Sequence, residues 1–400
     1  MNRDDTPLLI VGGGIGGLTL ALACARLHLN VHILEANEVF SESGAGIQLG
    51  PNATRILADL NALVRVREQA VEPDAIVARS GKSGRTLARL PLGERMHRRF
   101  GAPYLVVHRA DLQSALLAEA RECSGIEITT GFRATDIDQS EERVRVTASS
   151  GATATGSAIV AADGLWSRLR SWIAPDWALG PSSTTAARTL VTRDDAPLVM
   201  RDNVVGTWFS PKGHLVHYPV RNGQTIAIVV IARRGVVAPG WGHPIDASDV
   251  DADMARIAPA IPTDWVRGCA WRQWPLFDAP ALSKWTSGRV ALLGDAAHPI
   301  LPFLAQGGAM AIEDAAALSR EFASPDRDVA SAFVAYAEAR RTRTRNVQAA
   351  SRRNGRIYHL TGAAALARDA TMRLTPGSAL ISTYDWLYGW TISKRARSSN

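Results

Sequence analysis

The 400-residue chain is 46% hydrophobic and 21% charged with a mean hydropathy near zero, which excludes disordered and membrane-spanning classes and at this length points to two consecutive or interleaved domains. A net charge of +7 would suit a nucleic-acid partner, but the surplus lies in Arg340, Arg341, Arg343, Arg345, Arg352, Arg353 and Arg356 without a recognition motif, so it reads as a solvated helix face. Three scattered cysteines, Cys24, Cys123 and Cys269, lack metal-ligand spacing and fit a reducing, cytoplasmic compartment, and no apolar run reaches membrane-span length.

The first element is Leu8–Val11, a fully apolar run expected of a buried parallel strand. Gly12, Gly14 and Gly17 follow with GxGxxG spacing. The first permits the tight turn, the second lets backbone approach a pyrophosphate, and the third allows close helix–strand packing. An apolar helix comes next, and its N-terminal amides and positive dipole end suit phosphate. A second strand, Val31–Leu34, ends in Glu35, placed to accept from a ribose hydroxyl. This order predicts a dinucleotide site and leaves NAD and FAD both open.

Strand 104–107 delivers Arg109 beside a helix that begins near Asp111, either as a cofactor contact or as a surface residue. Residues 159–162 form another buried strand, ending in Asp163 and Gly164, and a helix then opens with Ser167 and Arg168. Beyond about residue 176 the pattern turns to sheet, with strands at 187–191, 204–209, 214–220 and 225–231 and a further one expected between 75 and 90. His214 and Tyr218, four apart on one strand, face the same way, and His217 faces the other. The pair either tiles a core or handles a proton, since histidine has the right pKa range and tyrosine can relay or orient one.

Strand 289–293 carries Gly294 and Asp295 into a turn. Gln306, Gly307 and Gly308 then precede an amphipathic helix whose first amides can face an electron-rich ring edge. From Asp328 the chain reads as helical, and the dense aromatics at 384–390 are expected to pack on the body of the protein or on a partner subunit.

These motifs, in this order, resemble the group A, single-component FAD-dependent aromatic hydroxylases, with greatest similarity to the salicylate hydroxylase and 3-hydroxybenzoate 6-hydroxylase subgroup. The resemblance implies an α/β fold of the para-hydroxybenzoate hydroxylase type. A Rossmann-like FAD-binding domain would cover 1–75, 100–175 and 276–327, an antiparallel β-sheet substrate domain 76–99 and 176–275, and C-terminal helices 328–400. It further implies that Gly12, Gly14, Gly17 and Glu35 hold the adenosine half of FAD, that Arg109 reaches its phosphates, and that Asp163 and Gly164 touch it at a joint with the pyridine nucleotide. Gly294 and Asp295 would meet the ribityl chain, and Gln306, Gly307 and Gly308 the flavin edge. The loop residues Ala45, Gly46, Ile47 and Gln48 would lie beside the isoalloxazine ring.

His214, Tyr218 and Pro302 are the implied catalytic residues, and Phe303 and Trp208 the implied walls of the substrate pocket. Phe303 stands where some family members place a polar group. With one fingerprint and no second nucleotide fold, NADH or NADPH is expected to bind transiently, and Arg168 and Arg170 are either contacts for its phosphates or helix-surface residues. The implied reaction is hydroxylation of a small phenolic or hydroxy-heteroaromatic acid, salicylate- or hydroxybenzoate-like, by O2 through a flavin C4a-hydroperoxide. The same motifs would serve a monooxygenase or epoxidase acting on an alkene or polycyclic natural product, and a flavin-binding regulator or a basic nucleic-acid-binding protein without turnover is the reading outside enzymes. No metal, nucleic-acid or membrane partner is expected, and the chain would act as a monomer or homodimer.

Overall fold

Apolar runs with no polar face become central strands of a parallel sheet. Leu8–Val11 and Ala158–Ala161 are buried along their whole length and pair side by side, flanked by Val31–Leu34 and Val290–Leu292, all parallel. Ile126–Thr129 and the short Thr286–Ser287, antiparallel to its neighbour, complete six strands. Because the inner four run the same way, the residues that follow them (Gly12, Glu35, Asp163 and Gly294) emerge along one edge of the sheet. That edge is where open α/β sheets bind ligands. The computed structural model describes residues 6–40, 46–180, 183–235, 238, 240 and 242–392.

The helix Ile15–Ala25 is buried on almost every residue and packs against the helix Gly307–Phe322. Its approach to the first strand depends on Gly17, where a Cβ would lie 2.0 Å from the Gly12 carbonyl oxygen. Gly12 has φ +107°, and a Cβ there would meet the Ala162 carbonyl oxygen at 2.5 Å.

A second sheet has eight strands, in the order His243–Pro244, Arg272–Pro275, Thr184–Thr192, Thr225–Arg233, Gly213–Val220, Val204–Ser210, Ala75–Ser80 and Thr86–Pro91. The expected strand between 75 and 90 is thus a hairpin. It joins Val204–Ser210 in parallel, whereas the other described pairings of this sheet are antiparallel. Strand alternation gives this sheet two faces. One carries Thr207, Phe209, His214, Val216 and Tyr218 into a cavity. The other buries Leu215, Ile228 and Val230 against the helix Ala247–Ile257.

Trp208 corrects the sequence reading. It lies one residue from Phe209, opposite Leu215, so its indole packs into the second core, behind the sheet from the cavity.

The arginine-rich segment is the helix Val329–Tyr358, started by Asp328, whose side chain accepts from the Ser331 amide at 2.8 Å. Its arginines are not one solvated face. Arg345, Arg353 and Arg356 are exposed, but Arg340 is 1% exposed and ion-paired with Glu313 and Asp314. Arg343 reaches Glu313 and the carbonyls of Trp386 and Leu387. Among the described residues no helix is long and apolar enough to cross a membrane.

Candidate active site

At the sheet edge, Glu35 closes the glycine loop from below. Its carboxylate accepts from the Gly13 amide at 2.8 Å and from the Asn37 amide and side chain at 2.9 and 2.8 Å, while Gln113 donates to the Gly13 carbonyl. Asp163 accepts from the Arg168 amide at 3.1 Å. Burial raises the Asp163 carboxyl pKa, against hydrogen bonds that lower it.

Arg170 is neither a helix-surface residue nor aimed at solvent. It is buried, and its guanidinium donates to the carbonyls of Gly164 and Leu165 on one side and of Asp295 and Ala296 on the other, with Trp177 stacked at 4.3 Å. It therefore staples the Asp163-Gly164 turn to the Gly294-Asp295 turn. Asp295 is held above the usual carboxylate range by burial, opposed by His298, Arg109 and Arg170.

Beneath Gly294 lies a buried polar network that the sequence reading missed. Asp314 accepts from His298 Nε2 at 2.5 Å, from Arg340 Nε at 2.7 Å and from the Gly294 amide at 3.1 Å. Glu313 pairs with Arg340 and Arg343 and accepts from Asn52, which also donates to Gln306 Oε1 at 3.0 Å. Burial alone would raise the Asp314 pKa, but His298 and Arg340 outweigh it and bring the carboxyl down to about 2. Adjacent acids on the buried side of an amphipathic helix were the available signal, since such charges need buried cations.

A cavity of about 740 Å3 runs from Gly14 to the second sheet. Of the residues singled out in the sequence, Gly14, Gly46, Ile47, Gln48, Arg109, Gly164, Gly294, Asp295, Pro302, Phe303, Gln306, Gly307, Gly308, His214 and Tyr218 line it. Gly12, Gly17, Glu35 and Asp163 support the lining from behind, and Ala45 lies outside the described residues. Close approaches knit the walls together: a Cβ on Gly46 would lie 2.3 Å from the Tyr218 ring, and one on Gly308 2.5 Å from Ile47. Gln48 accepts from the Tyr104 hydroxyl at 2.6 Å.

His214 Nδ1 is 2.8 Å from His359 Nε2, and its ring meets Phe303 and Tyr358 edge-on at 5.3 and 5.2 Å. Burial, with His359 adding to it, pushes the His214 imidazole well below its ordinary pKa. Burial raises the Tyr218 phenol, against the lowering influence of Arg188. His217, on the reverse face, is fully buried and pushed down to about 3.

The C-terminal helices form the remaining wall. Gln348, Ser351 and Tyr358 of the long helix donate to the carbonyls of Pro299, Leu301 and Phe303 at 2.9, 2.6 and 3.1 Å, and Asn354 adds a second bond to Phe303 at 3.2 Å. Helical spacing of three to four residues thus meets every second carbonyl of an extended strip. The strip that carries Pro302 is therefore racked onto the helix. The aromatics at 384–390 pack on the body of the protein: Tyr384 and Tyr388 face the cavity, and Trp390 lies under Arg340 at 4.8 Å.

The two helix starts fit a dinucleotide. A Cβ on Gly14 would meet nothing within 4 Å, and one on Gly307 only Asp295 Oδ1 at 4.0 Å. Neither Ile15–Ala25 nor Gly307–Phe322 has a side-chain cap, so their first amides open onto the cavity. FAD, with a pyrophosphate for the first and a flavin edge for the second, matches this donor set.

A family model described as "FAD binding domain" matches residues 5–351. The chain is 36% identical over 392 residues to 3-hydroxybenzoate 6-hydroxylase of Polaromonas naphthalenivorans (strain CJ2), covering 98% of each protein. It is 32% identical to 3-amino-4-hydroxybenzoate 2-monooxygenase PtmB3 of Streptomyces platensis, covering 98% of this chain and 97% of the relative. Among solved structures, a point variant of Klebsiella pneumoniae HpxO complexed with FAD superposes with a TM-score of 0.82 at 25% identity, over 96% of this chain and 98% of that one.

Proposed function

The chain belongs to the FAD-binding-domain family of flavoprotein aromatic monooxygenases, and from that premise we propose that it hydroxylates a hydroxybenzoate-like acid, using NADH or NADPH and O2. One observation carries the reading: a single cavity joins the two uncapped helix starts to the face that presents His214 and Tyr218. The named relatives act on hydroxybenzoates and cover nearly the whole chain, which favours a substrate of that class. Gly12, Gly14, Gly17, Glu35 and Arg109 would hold the adenosine and phosphate half of FAD. Gly46–Leu49, Asp295 and Gln306–Gly308 would hold its flavin half.

When bound, FAD supplies the electron transfer from the nicotinamide and the activation of O2. The protein supplies the proton handling and the shielding. Since Nδ1 of His214 is engaged by His359, Nε2 remains to take the phenolic proton, which makes the ring electron-rich where oxygen is delivered. Its lowered pKa keeps the imidazole neutral and ready to accept. His359, half-buried at the end of the long helix, can pass that proton outward. Tyr218 stays protonated and orients the substrate as a donor. Phe209, Phe303, Val216 and Val229 give the ring apolar walls that exclude water.

The test is NADH and NADPH oxidation by the purified flavoprotein over a panel of hydroxybenzoates and hydroxynicotinates, with product identification. A hydroxylated acid is expected. A yellow protein that consumes neither nicotinamide nor O2 with any of them would refute the proposal, and unchanged hydroxylation in His214→Ala and Tyr218→Phe would refute the roles given to that pair.

A further inference from the structure

We propose that Arg188 is the anion-binding residue of the substrate pocket, its guanidinium pairing with the carboxylate of an aromatic acid whose hydroxyl lies toward His214. This rests on the aromatic-hydroxylase reading and deepens it by naming the residue that selects an acid.

Arg188 sits in the middle of Thr184–Thr192, with strands hydrogen-bonded on both sides, and its side chain lines the cavity. A cation on an inward sheet face is costly unless an anion meets it. Enclosed arginines elsewhere obey that rule: the buried Arg340 has Glu313 and Asp314, the half-buried Arg234 has Asp253, and the buried Arg170 has four carbonyls. Arg188 differs. Among the described residues no Asp or Glu lies within 4.0 Å of it, and its buried Nε has no hydrogen-bond partner. Its neighbours are the Trp274 ring at 4.9 Å, the Tyr218 phenol and a second cation, Arg109. Burial brings its pKa down to about 10, so it is still charged at neutral pH. The described protein residues supply no counter-charge here.

Register sets the span to His214. Arg188 is opposite Val229, Val229 is opposite Val216, and His214 lies two residues from Val216. With strands about 4.8 Å apart and a two-residue step of about 6.6 Å, the two backbones are about 12 Å apart. Side chains reaching in from both ends leave room for one substituted ring. Val229 and Val216 form the floor between them, and Thr207 continues it on the next strand. A planar guanidinium fork matches one carboxylate in two parallel hydrogen bonds.

The experiment uses the flavin-loaded wild type, Arg188→Gln and Arg188→Lys, titrated by flavin absorbance with 2- and 3-hydroxybenzoate and with the corresponding hydroxybenzamides. Arg188→Gln is expected to weaken acid binding about 10- to 150-fold, the range for a charge-assisted bond. Amide binding should stay within about twofold, as for a site outside the interaction. Arg188→Lys should fall between for the acids, and FAD content and the KM for NADH should not move.

Equal loss of acid and amide, or a wild type that prefers the acid in neither pair, overturns the proposal. So does an effect confined to FAD retention or the nicotinamide KM, which would place the anion on a cofactor. Product analysis separates the two readings. Hydroxylation without Arg188 dependence leaves the hydroxylase standing and removes the anion site. Acid binding that depends on Arg188, with no hydroxylated product, does the reverse.

Discussion

Replacing Asp314 by asparagine tests whether charge, and not shape, holds the Gly294 turn in place. The carboxylate is fully buried among His298, Arg340 and the Gly294 amide. Depression of its pKa from 3.8 to about 2 corresponds to about 2–3 kcal/mol, at roughly 1.4 kcal/mol per pH unit. Because the folded value is the lower one, that stabilisation is complete above the unfolded carboxylate range near pH 4. It is lost as pH falls through about 2. Asparagine removes it at every pH and also turns an amide N–H toward donors, so the total cost expected at neutral pH is about 3–5 kcal/mol, that of breaking a buried pair.

Urea unfolding followed by tryptophan fluorescence measures this, with flavin retention read in parallel. On lowering the pH from about 5 toward 3, wild type should lose more stability than Asp314→Asn, whose charge is already gone. Arg340→Met in the Asp314→Asn background should recover part of the loss, because two arginines would otherwise share the Glu313 carboxylate and the surplus cation is removed while Glu313 keeps Arg343. A neutral-pH cost below about 1 kcal/mol, or strictly additive single effects, would refute the charge-pairing argument.

Three further outcomes follow from the same geometry. Gly17→Ala sets a Cβ 2.0 Å from the Gly12 carbonyl oxygen, so the helix must withdraw from the strand, and the protein should purify with little flavin while Gly14→Ala, whose Cβ meets no protein atom within 4 Å, folds normally as the apoprotein. Tyr358→Phe and Ser351→Ala each remove one bond to the Pro302 strip at about 1 kcal/mol; thermal unfolding should show a small loss, and nicotinamide oxidation should become less tightly coupled to product formation, an outcome absent if the rack has no bearing on the site. The acidic limb of kcat/KM should lie well below the ordinary histidine range, since burial and then His359 lower the His214 pKa, and His359→Gln should move it upward. A limb that sits near pH 6.5 in both proteins would mean that His214 is not the titrating group.

The nucleotide half was legible because its signals are local. Strand, glycines, helix, strand and acid follow one another in sequence, and the parallel sheet brings their ends together. His214 and Tyr218 were legible for the same reason, since parity along one strand assigns them a common face. Trp208 was not, because its face depends on register with a different strand, and only the pairing of Phe209 with His214 settles it. The arginines of the long helix were misread for want of partners: Glu313 and Asp314 lie on another helix, and nothing local pairs them with Arg340. Arg188 left a faint local signal, one charge inside the apolar run 186–191, which marks a buried cation without saying what meets it.

The family match ends at residue 351, inside the long helix, seven residues before that helix ends at Tyr358. The residues proposed to hold FAD lie within the match. Asn354, Tyr358, His359, Arg368, Tyr384 and Tyr388 lie beyond it, and they supply the partner of His214, the anchor of the Phe303 carbonyl and one wall of the pocket. On the proposed reading, a chain could keep every residue assigned to FAD and still change substrate by altering this segment. The 3-hydroxybenzoate 6-hydroxylase relative spans 98% of the chain and so includes it. On the proposed reading, substrate choice would depend on how two surfaces meet: a C-terminal wall shared in extent with that relative, and a sheet face on which Arg188 carries a charge that no described acidic residue balances.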